Sequence, residues 1–345
     1  MFSEKIVSIS DNVLPVFRRR VERGELTGVN PKTLCQFVMD SRAEGTIKTY
    51  GAALKKVWNF GEQIKKSVFL WGEGEVCSFL MHLVQAKGAE NAMKQGLAIV
   101  AMIFEAMGKP SPTKSVLVSQ VKIAAVKKNG RGKLRPREVM SLRHLDILVK
   151  NLYKKPASLV RPADRRCLIM QVLLFLGMKR FSDIQNIRVQ DLHFRADGAV
   201  EIKLGKTKTD QEARGSSFVV LGDEKRGFLV AELLTWYLKS LGLRGHDLVF
   251  ASLRGSFQGE VKPVTEMAVS YGVALSDLQV VCKRLALPPL TLHSARIGAA
   301  TAGARAGVSR EFLQACGGWS SSAVDGYVRL KDPGVVFNRA IFRKV

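Results

Sequence analysis

The residues with chemistry to offer lie in four short stretches of the C-terminal half. "LTLHSARIGAATAGARAGVS", residues 290–309, carries His293, one of five histidines, and Arg296 three positions on. On a helix three residues are nearly one turn, so the two side chains share a face. Ala295, Gly298, Ala299 and Ala300 keep such a helix thin, which lets another backbone or a ligand come close. "CGGWSSSAVDGYVRL" sets Trp319 before Tyr327, one of five tyrosines. "FLGMKRFSDIQNIRVQDL" ends an apolar helix with Arg180 and puts Asp183 three residues later. "KLGKTKTD" holds Lys206 and Lys208.

Each stretch has an ordinary explanation. A lone histidine in an Ala-rich helix is usually a satisfied core group. Arg180 can simply pair with Asp183, hairpin lysines are commonly solubilising edge charges, and Tyr327 can be core packing. Taken together, the set suits attack on a phosphodiester. Two guanidiniums hold nonbridging oxygens and stabilise the added charge of a five-coordinate transition state. A tyrosine oxygen attacks and forms a covalent intermediate. A lysine protonates the leaving sugar oxygen, and a histidine handles the nucleophile's proton. A covalent bond conserves the phosphodiester energy, so the chemistry needs no cofactor. No GxxxxGK phosphate loop is present, since "AMGKP" lacks the earlier glycine. No metal is expected either: Cys35, Cys77, Cys167, Cys282 and Cys316 are dispersed, without a CxxC pair or a His/Cys cluster, and read as reduced core thiols.

The elements that must position these groups follow from periodicity. "TIKTYGAALKKVWNF" puts Ile47, Tyr50, Leu54, Val57 and Trp58 at helical spacing with lysines on the other side. "GEVCSFLMHLVQAK", "NAMKQGLAIVAMIFEAMGK" and "TKSVLVSQVKIAAVKK" are further helices, and no clear strand precedes residue 195. The Gly-rich, basic "KKNGRGKLRPRE" at 127–138 is the best linker. Beyond it "SLRHLDILVKNLY", "RRCLIMQVLLFLGM", "LVAELLTWYLKSLG" and "LSDLQVVCKRLAL" read as helices. "AVEIKLGKTKT" and "GSSFVVLGD" flank a polar loop as a hairpin. The expected fold is mainly α with a small antiparallel β-sheet in the C-terminal domain. It divides into helical residues 1–126, a linker at 127–138, and residues 139–345.

Charge points to the partner. Lys and Arg number 54 against 30 Asp and Glu, a net charge of +24. The excess is not a tail: residues 1–134 carry 21 basic and 11 acidic side chains, and residues 135–345 carry 33 and 19. Two basic modules suit a polyanion gripped from two sides. The candidate phosphate contacts are Lys48, Lys55, Lys127, Lys128, Arg131, Lys133 and Lys206. No signal-peptide layout and no run of membrane-spanning length is seen, so the expectation is a soluble intracellular protein without a membrane partner.

"HSARIGAATAGARAGVS" followed by "QACGGWSSSAVDGYV" resembles the tyrosine recombinases of the phage-integrase type. The phrasing "RIGAAT" and "WSSSAVDGYVR" is similar to recombinases of eukaryotic mobile elements of the DIRS and Crypton kinds. The resemblance runs from about Arg180 to Tyr327 and is most specific over 290–329; the N-terminal half matches only in its helical style. It implies a two-domain, C-shaped DNA clamp, with 1–126 a SAM-like core-binding domain and 139–345 the catalytic domain with a C-terminal tail. It implies that Arg180 and Arg296 are catalytic arginines, Asp183 the supporting acid, and His293 the partner of Arg296. Lys208 is implied as general acid, with Lys206 the fallback. Trp319 is the implied phosphate contact and Tyr327 the nucleophile. The Trp319 to Tyr327 spacing is one residue shorter than in a phage member of the family, a departure the mobile-element recombinases share. The implied partner is double-stranded DNA, exchanged through a 3′-phosphotyrosine and a Holliday junction. The implied assembly is a homotetramer in synapsis and a monomer or dimer when free. The implied site of action is the nucleus if the source is a eukaryotic element, and otherwise the cytoplasm or nucleoid.

Three alternatives remain open: a domesticated DNA-binding protein of this fold without cleavage activity, a type IB topoisomerase or telomere resolvase, and a basic membrane-surface protein. The tail after Tyr327, with Val335, Val336, Phe337, Ile341 and Phe342 beyond a Pro-Gly break, either packs on its own domain or docks into a neighbouring protomer.

Overall fold

A computed structural model of the chain describes residues 9–40, 44–84, 89–128, 138–153, 155–156, 159–205, 216–255, 261–319 and 322–328. The chain separates into two compact units, Met1–Arg135 and Pro136–Val345. The expected linker begins inside a helix, since Lys127 and Lys128 close the last helix of the first unit. Positions 129–137 of that stretch, Arg131 and Lys133 among them, lie outside the described residues.

The first unit is helical: α1 Ile9–Glu22, α2 Pro31–Asp40, α3 Glu44–Gln63, α4 Glu73–Leu83, α5 Ala89–Ala106 and α6 Val116–Lys128. The first two have no counterpart in the periodicity reading. In α3 the apolar stripe turns inward, with Leu54 and Val57 buried, while Lys55 stays exposed on the other side. The Lys48 side chain lies outside the described residues. An aromatic cluster of Phe60, Trp71 and Phe79, with centroids 5.4–5.8 Å apart, fills the centre.

The second unit is built around α8, Pro162–Leu176. Every residue of α8 from Asp164 to Phe175 is buried, as befits a helix packed on all sides with apolar residues all round its later turns. Around it pack α7 Leu142–Leu152, α10 Val230–Leu241, α11 Tyr271–Arg284 and α12 Leu292–Arg305. Two polar residues of α8, Arg166 and Asp164, tie these layers together. Arg166 donates to Asp277 of α11 at 2.7 Å and to the Ala251 carbonyl at 2.6 Å. Asp164 accepts from Arg161 and Arg284, each at 2.9 Å. Two short helices are also present among the described residues, α9 Phe181–Ile184 and α13 Arg310–Gly317.

Periodicity reads as one hairpin, but the described residues form two sheets. The hairpin is present as β2 Val200–Leu204 against β3 Ser216–Val220, antiparallel, with Ile202 opposite Phe218. A third strand, β1 Leu192–Phe194, pairs with the outer side of β2, three residues earlier than strands were expected. A second antiparallel pair joins β4 Ala251–Gly255 to β5 Val261–Ala268. Neither of these strands alternates cleanly: burial is graded along β4, and β5 is exposed or half-buried throughout. The period-two signal is therefore missing from the sequence. Four of the five cysteines are buried free thiols, as expected of core thiols; Cys316 is exposed.

Candidate active site

The site is assembled by the end of α8, the starts of α9 and α12, and the end of α13. The apolar run does not carry through to Arg180. Helix α8 stops at Leu176, and Met178 takes a left-handed backbone with φ of +48°. That region is disfavoured for a bulky L-residue and costs on the order of 1–3 kcal/mol where the surroundings enforce it. Two contacts flank it. At Gly177 an added Cβ would lie 2.4 Å from the Phe218 ring of β3, so the chain passes tight against the sheet just before Met178. The Met178 carbonyl accepts a hydrogen bond from Arg296 Nη1. The turn delivers Arg180 to the N-cap of α9. There its backbone N–H donates to Asp183 Oδ2 at 2.9 Å, while its guanidinium stands 3.8 Å from the same oxygen. Asp183 thus acts first as a capping carboxylate and second as an ion-pair partner of Arg180.

Helix α12 starts at a reciprocal cap, in which the Thr291 N–H donates to Ser294 Oγ at 2.9 Å. The sequence leaves open whether a backbone or a ligand approaches its small residues. On the face of Gly298 it is a backbone: an added Cβ would lie 1.8 Å from the Met140 carbonyl oxygen. The same segment donates its Met140 N–H to the Ser294 carbonyl at 3.2 Å. The helix that carries His293 and Arg296 is therefore anchored by the residues entering α7.

Arg296 is fully buried. Besides the Met178 carbonyl, it donates Nη2 to the Gly317 carbonyl at 2.8 Å. Its guanidinium carbon lies 4.1 Å from the Trp319 ring centroid and 5.3 Å from that of Tyr327. Burial first, and then the Arg180 charge, pull its pKa down to about 10, so it remains a cation at neutral pH.

The Gly-Gly-Trp turn uses its two glycines for different reasons. Gly318 closes α13 with φ of +63°, a left-handed cap that favours glycine. Gly317 lies under Trp319, where a Cβ would be 1.9 Å from the indole ring. Trp319 is thereby packed down beside Tyr327, with ring centroids 4.8 Å apart. The His293 ring also packs on the tyrosine, with centroids 5.1 Å apart. Tyr327 follows a 3-10 turn at Ser322–Gly326, and its carbonyl accepts from Thr301 Oγ1 at 3.3 Å.

Arg296, His293 and Trp319 therefore converge on the ring of Tyr327, with Arg180 and Asp183 close enough to act on Arg296 electrostatically. Lys206 and Lys208 fall on the β2–β3 connection, outside the described residues. Lys55, Lys127 and Lys128 are exposed in the first unit. Among the described residues no cluster of His, Cys, Asp and Glu is arranged to hold a metal ion. None of the described helices is long and apolar enough to cross a membrane. Sequence reasoning missed Lys179 and Thr301. Lys179 is visible there only as one more basic residue beside Arg180, and Thr301 only as a helix residue five positions after Arg296.

Comparison with known proteins follows the same outline. The sequence profile of the phage integrase family matches residues 141–332. The recombinase Cre of Escherichia phage P1 is 28% identical over 276 residues, spanning 75% of this chain and 76% of the relative. The fold is similar to the XerH site-specific recombinase bound to a palindromic difH substrate, with a TM-score of 0.59 at 13% identity over 99% of this chain and 98% of the other. It is also similar to a lambda integrase tetramer bound to a Holliday junction, with a TM-score of 0.53 at 15% identity over 95% of this chain and 80% of the other.

Proposed function

The chain belongs to the phage integrase family and is a tyrosine-type site-specific DNA recombinase; we propose that Tyr327 is its nucleophile and that the groups around that ring are its catalytic machinery. The Tyr327 oxygen attacks the scissile phosphorus. A bond forms between that oxygen and phosphorus, and the bond from phosphorus to the 5′ oxygen breaks. The phenolic proton passes to His293, and Lys208, or Lys206 in its place, supplies a proton to the departing 5′ oxygen. Arg180 and Arg296 hold the nonbridging oxygens while charge builds on them. Asp183 keeps Arg180 in register, and Trp319 closes one wall against the phosphate. The released 5′ hydroxyl then attacks the phosphotyrosine of a partner strand, reversing each step and restoring the phosphodiester.

Two rounds of exchange pass through a Holliday junction held by four copies of the chain, which are monomers or dimers when free. The two basic units supply the grip on the duplex, with Lys48, Lys55, Lys127, Lys128, Arg131, Lys133 and Lys206 as backbone contacts. The convergence of Arg296, His293 and Trp319 on one tyrosine ring carries the reading, because it sets a guanidinium and an imidazole beside the same phenol.

The test uses a pool of nicked duplexes of randomised sequence, in which the cleaved fragment diffuses away and traps the adduct. Wild type is expected to yield a denaturant-resistant protein–DNA species whose modified peptide maps to Tyr327. Tyr327→Phe is expected to bind DNA and yield none. An adduct in Tyr327→Phe, or none in wild type despite binding, overturns the assignment.

A further inference from the structure

The C-terminal end of α13 has a partner for each of its backbone acceptors. A helix leaves its last four carbonyls without intrahelical partners. In α13 these belong to Gln314, Ala315, Cys316 and Gly317. The chain itself satisfies the first two: the Trp319 N–H donates to Gln314 at 3.0 Å and the Gly318 N–H to Ala315 at 3.1 Å. The other two are satisfied by cations from elsewhere in the site. Arg296 Nη2 donates to Gly317 at 2.8 Å, and Lys179 Nζ donates to Cys316 at 3.0 Å.

We infer that Lys179 is a positioning residue for strand cleavage: with Arg296 it caps α13 and so fixes the Gly317–Gly318–Trp319 turn against Tyr327. The placement is electrostatically favourable on one side, since the carbonyl end of a helix attracts cations. On the other side it is costly. Burial, and after it the charge of Arg296, lower the Lys179 pKa, with Arg180 adding to the effect and Asp183 opposing it. The Lys179 ammonium also stands 5.1 Å from the Phe218 ring of β3, the same ring that Gly177 packs against. A half-buried lysine close to two arginines carries a repulsion that stability alone does not favour. A phosphate held by Arg180 and Arg296 would offset that repulsion. One side chain thus joins three parts of the site: the strained turn at Met178, the sheet, and the helix end that presents Trp319.

The inference rests on the reading of Tyr327 as nucleophile, so its test has one arm that depends on cleavage and one that does not. Lys179→Met keeps the stem and removes the charge; Lys179→Arg keeps a donor. In the free full-length protein, backbone hydrogen exchange at Gly318 and Trp319 is expected to quicken in Lys179→Met by about tenfold, the worth of a charge-assisted hydrogen bond. Exchange in α10 should stay unchanged. On a nicked duplex, single-turnover adduct formation is expected to fall by about tenfold or more, while the dissociation constant for intact DNA moves by less than about threefold. Lys179→Arg should recover most of both effects.

Unchanged exchange in Lys179→Met overturns the capping role whether or not the protein cleaves DNA. Faster exchange with undiminished cleavage overturns the link to catalysis. Equal losses of affinity and cleavage, with unchanged exchange, would make Lys179 a phosphate contact instead. Absence of any adduct in wild type marks failure of the nucleophile reading, and the exchange result then still decides the cap.

Discussion

Arg296 holds protein with the same guanidinium that faces Tyr327. Its two outer nitrogens are engaged by the Met178 and Gly317 carbonyls, its face lies against Trp319, and its Nε has no hydrogen-bond partner among the described residues. A lysine can donate to one of those carbonyls but cannot reproduce the planar fork or the stacking. Arg296→Lys is therefore expected to lower adduct formation by at least about a hundredfold, in the range seen for loss of one preorganised transition-state donor. DNA affinity in the same variant should change by less than about tenfold, because most binding comes from backbone contacts spread over the surface. Single-turnover cleavage beside a filter-binding titration separates the two. Equal losses would make Arg296 an ordinary clamp.

At the scale of elements, α12 is placed by close backbone approach. Gly298→Ala sets a methyl 1.8 Å from the Met140 carbonyl oxygen, and a backbone atom cannot step aside without moving the helix. Overpacking of this kind costs about 1–3 kcal/mol. Gly303→Ala is the control on the same helix. Its methyl meets the far end of the Leu313 side chain at 2.7 Å, which can rotate away, and alanine is the better helix former by about 1 kcal/mol. Urea unfolding followed by a probe in the C-terminal unit should show Gly298→Ala clearly less stable than Gly303→Ala; equal midpoints would contradict the anchoring role of Met140.

The segment that supplies Met140 is itself pH-sensitive. Helix α7 begins with a cap in which the Ser141 N–H donates to His144 Nδ1 at 3.2 Å, and this requires a neutral imidazole. Burial, aided by Arg143 and opposed by Glu138, lowers the His144 pKa below its usual 6.5. The unfolded chain thus takes up the proton more readily. The contribution is full above about pH 6.5 and is lost as the pH falls through the lowered folded value. The unfolding midpoint is expected to rise with pH in that window. Thermal scans across the window should show the step in wild type and not in His144→Gln.

At the scale of the whole molecule, charge matters more than any single side chain. Both units are basic, and exposed Lys55, Lys127 and Lys128 belong to the first. If roughly 6–10 phosphates are neutralised, affinity falls by about 10³–10⁵ between about 50 and 200 mM salt, through counterion release. A titration of binding against salt should give that steep slope. Lys127→Glu with Lys128→Glu should make it shallower by about one for each phosphate left without its lysine. Binding indifferent to salt would exclude a basic grip on DNA.

Local pattern alone sets the helices whose apolar stripes repeat at the helical period, among them α3, α7 and α10, and the β2–β3 hairpin, whose strands alternate about a polar loop. It also places His293 and Arg296 on one helical face, because that is a matter of a single turn. Two things lie beyond it. Strands β4 and β5 are held by each other's backbone, and backbone pairing leaves no imprint on side-chain periodicity. Lys179 gains its role from the carbonyl of Cys316, a residue 137 positions away. A carbonyl is the same group in every residue, so no side-chain pattern announces which one a lysine will reach. Residue type and spacing are local and legible in the sequence. The approach of a charged side chain to a distant helix end depends on how α8, β3 and α13 pack, and that is settled in three dimensions.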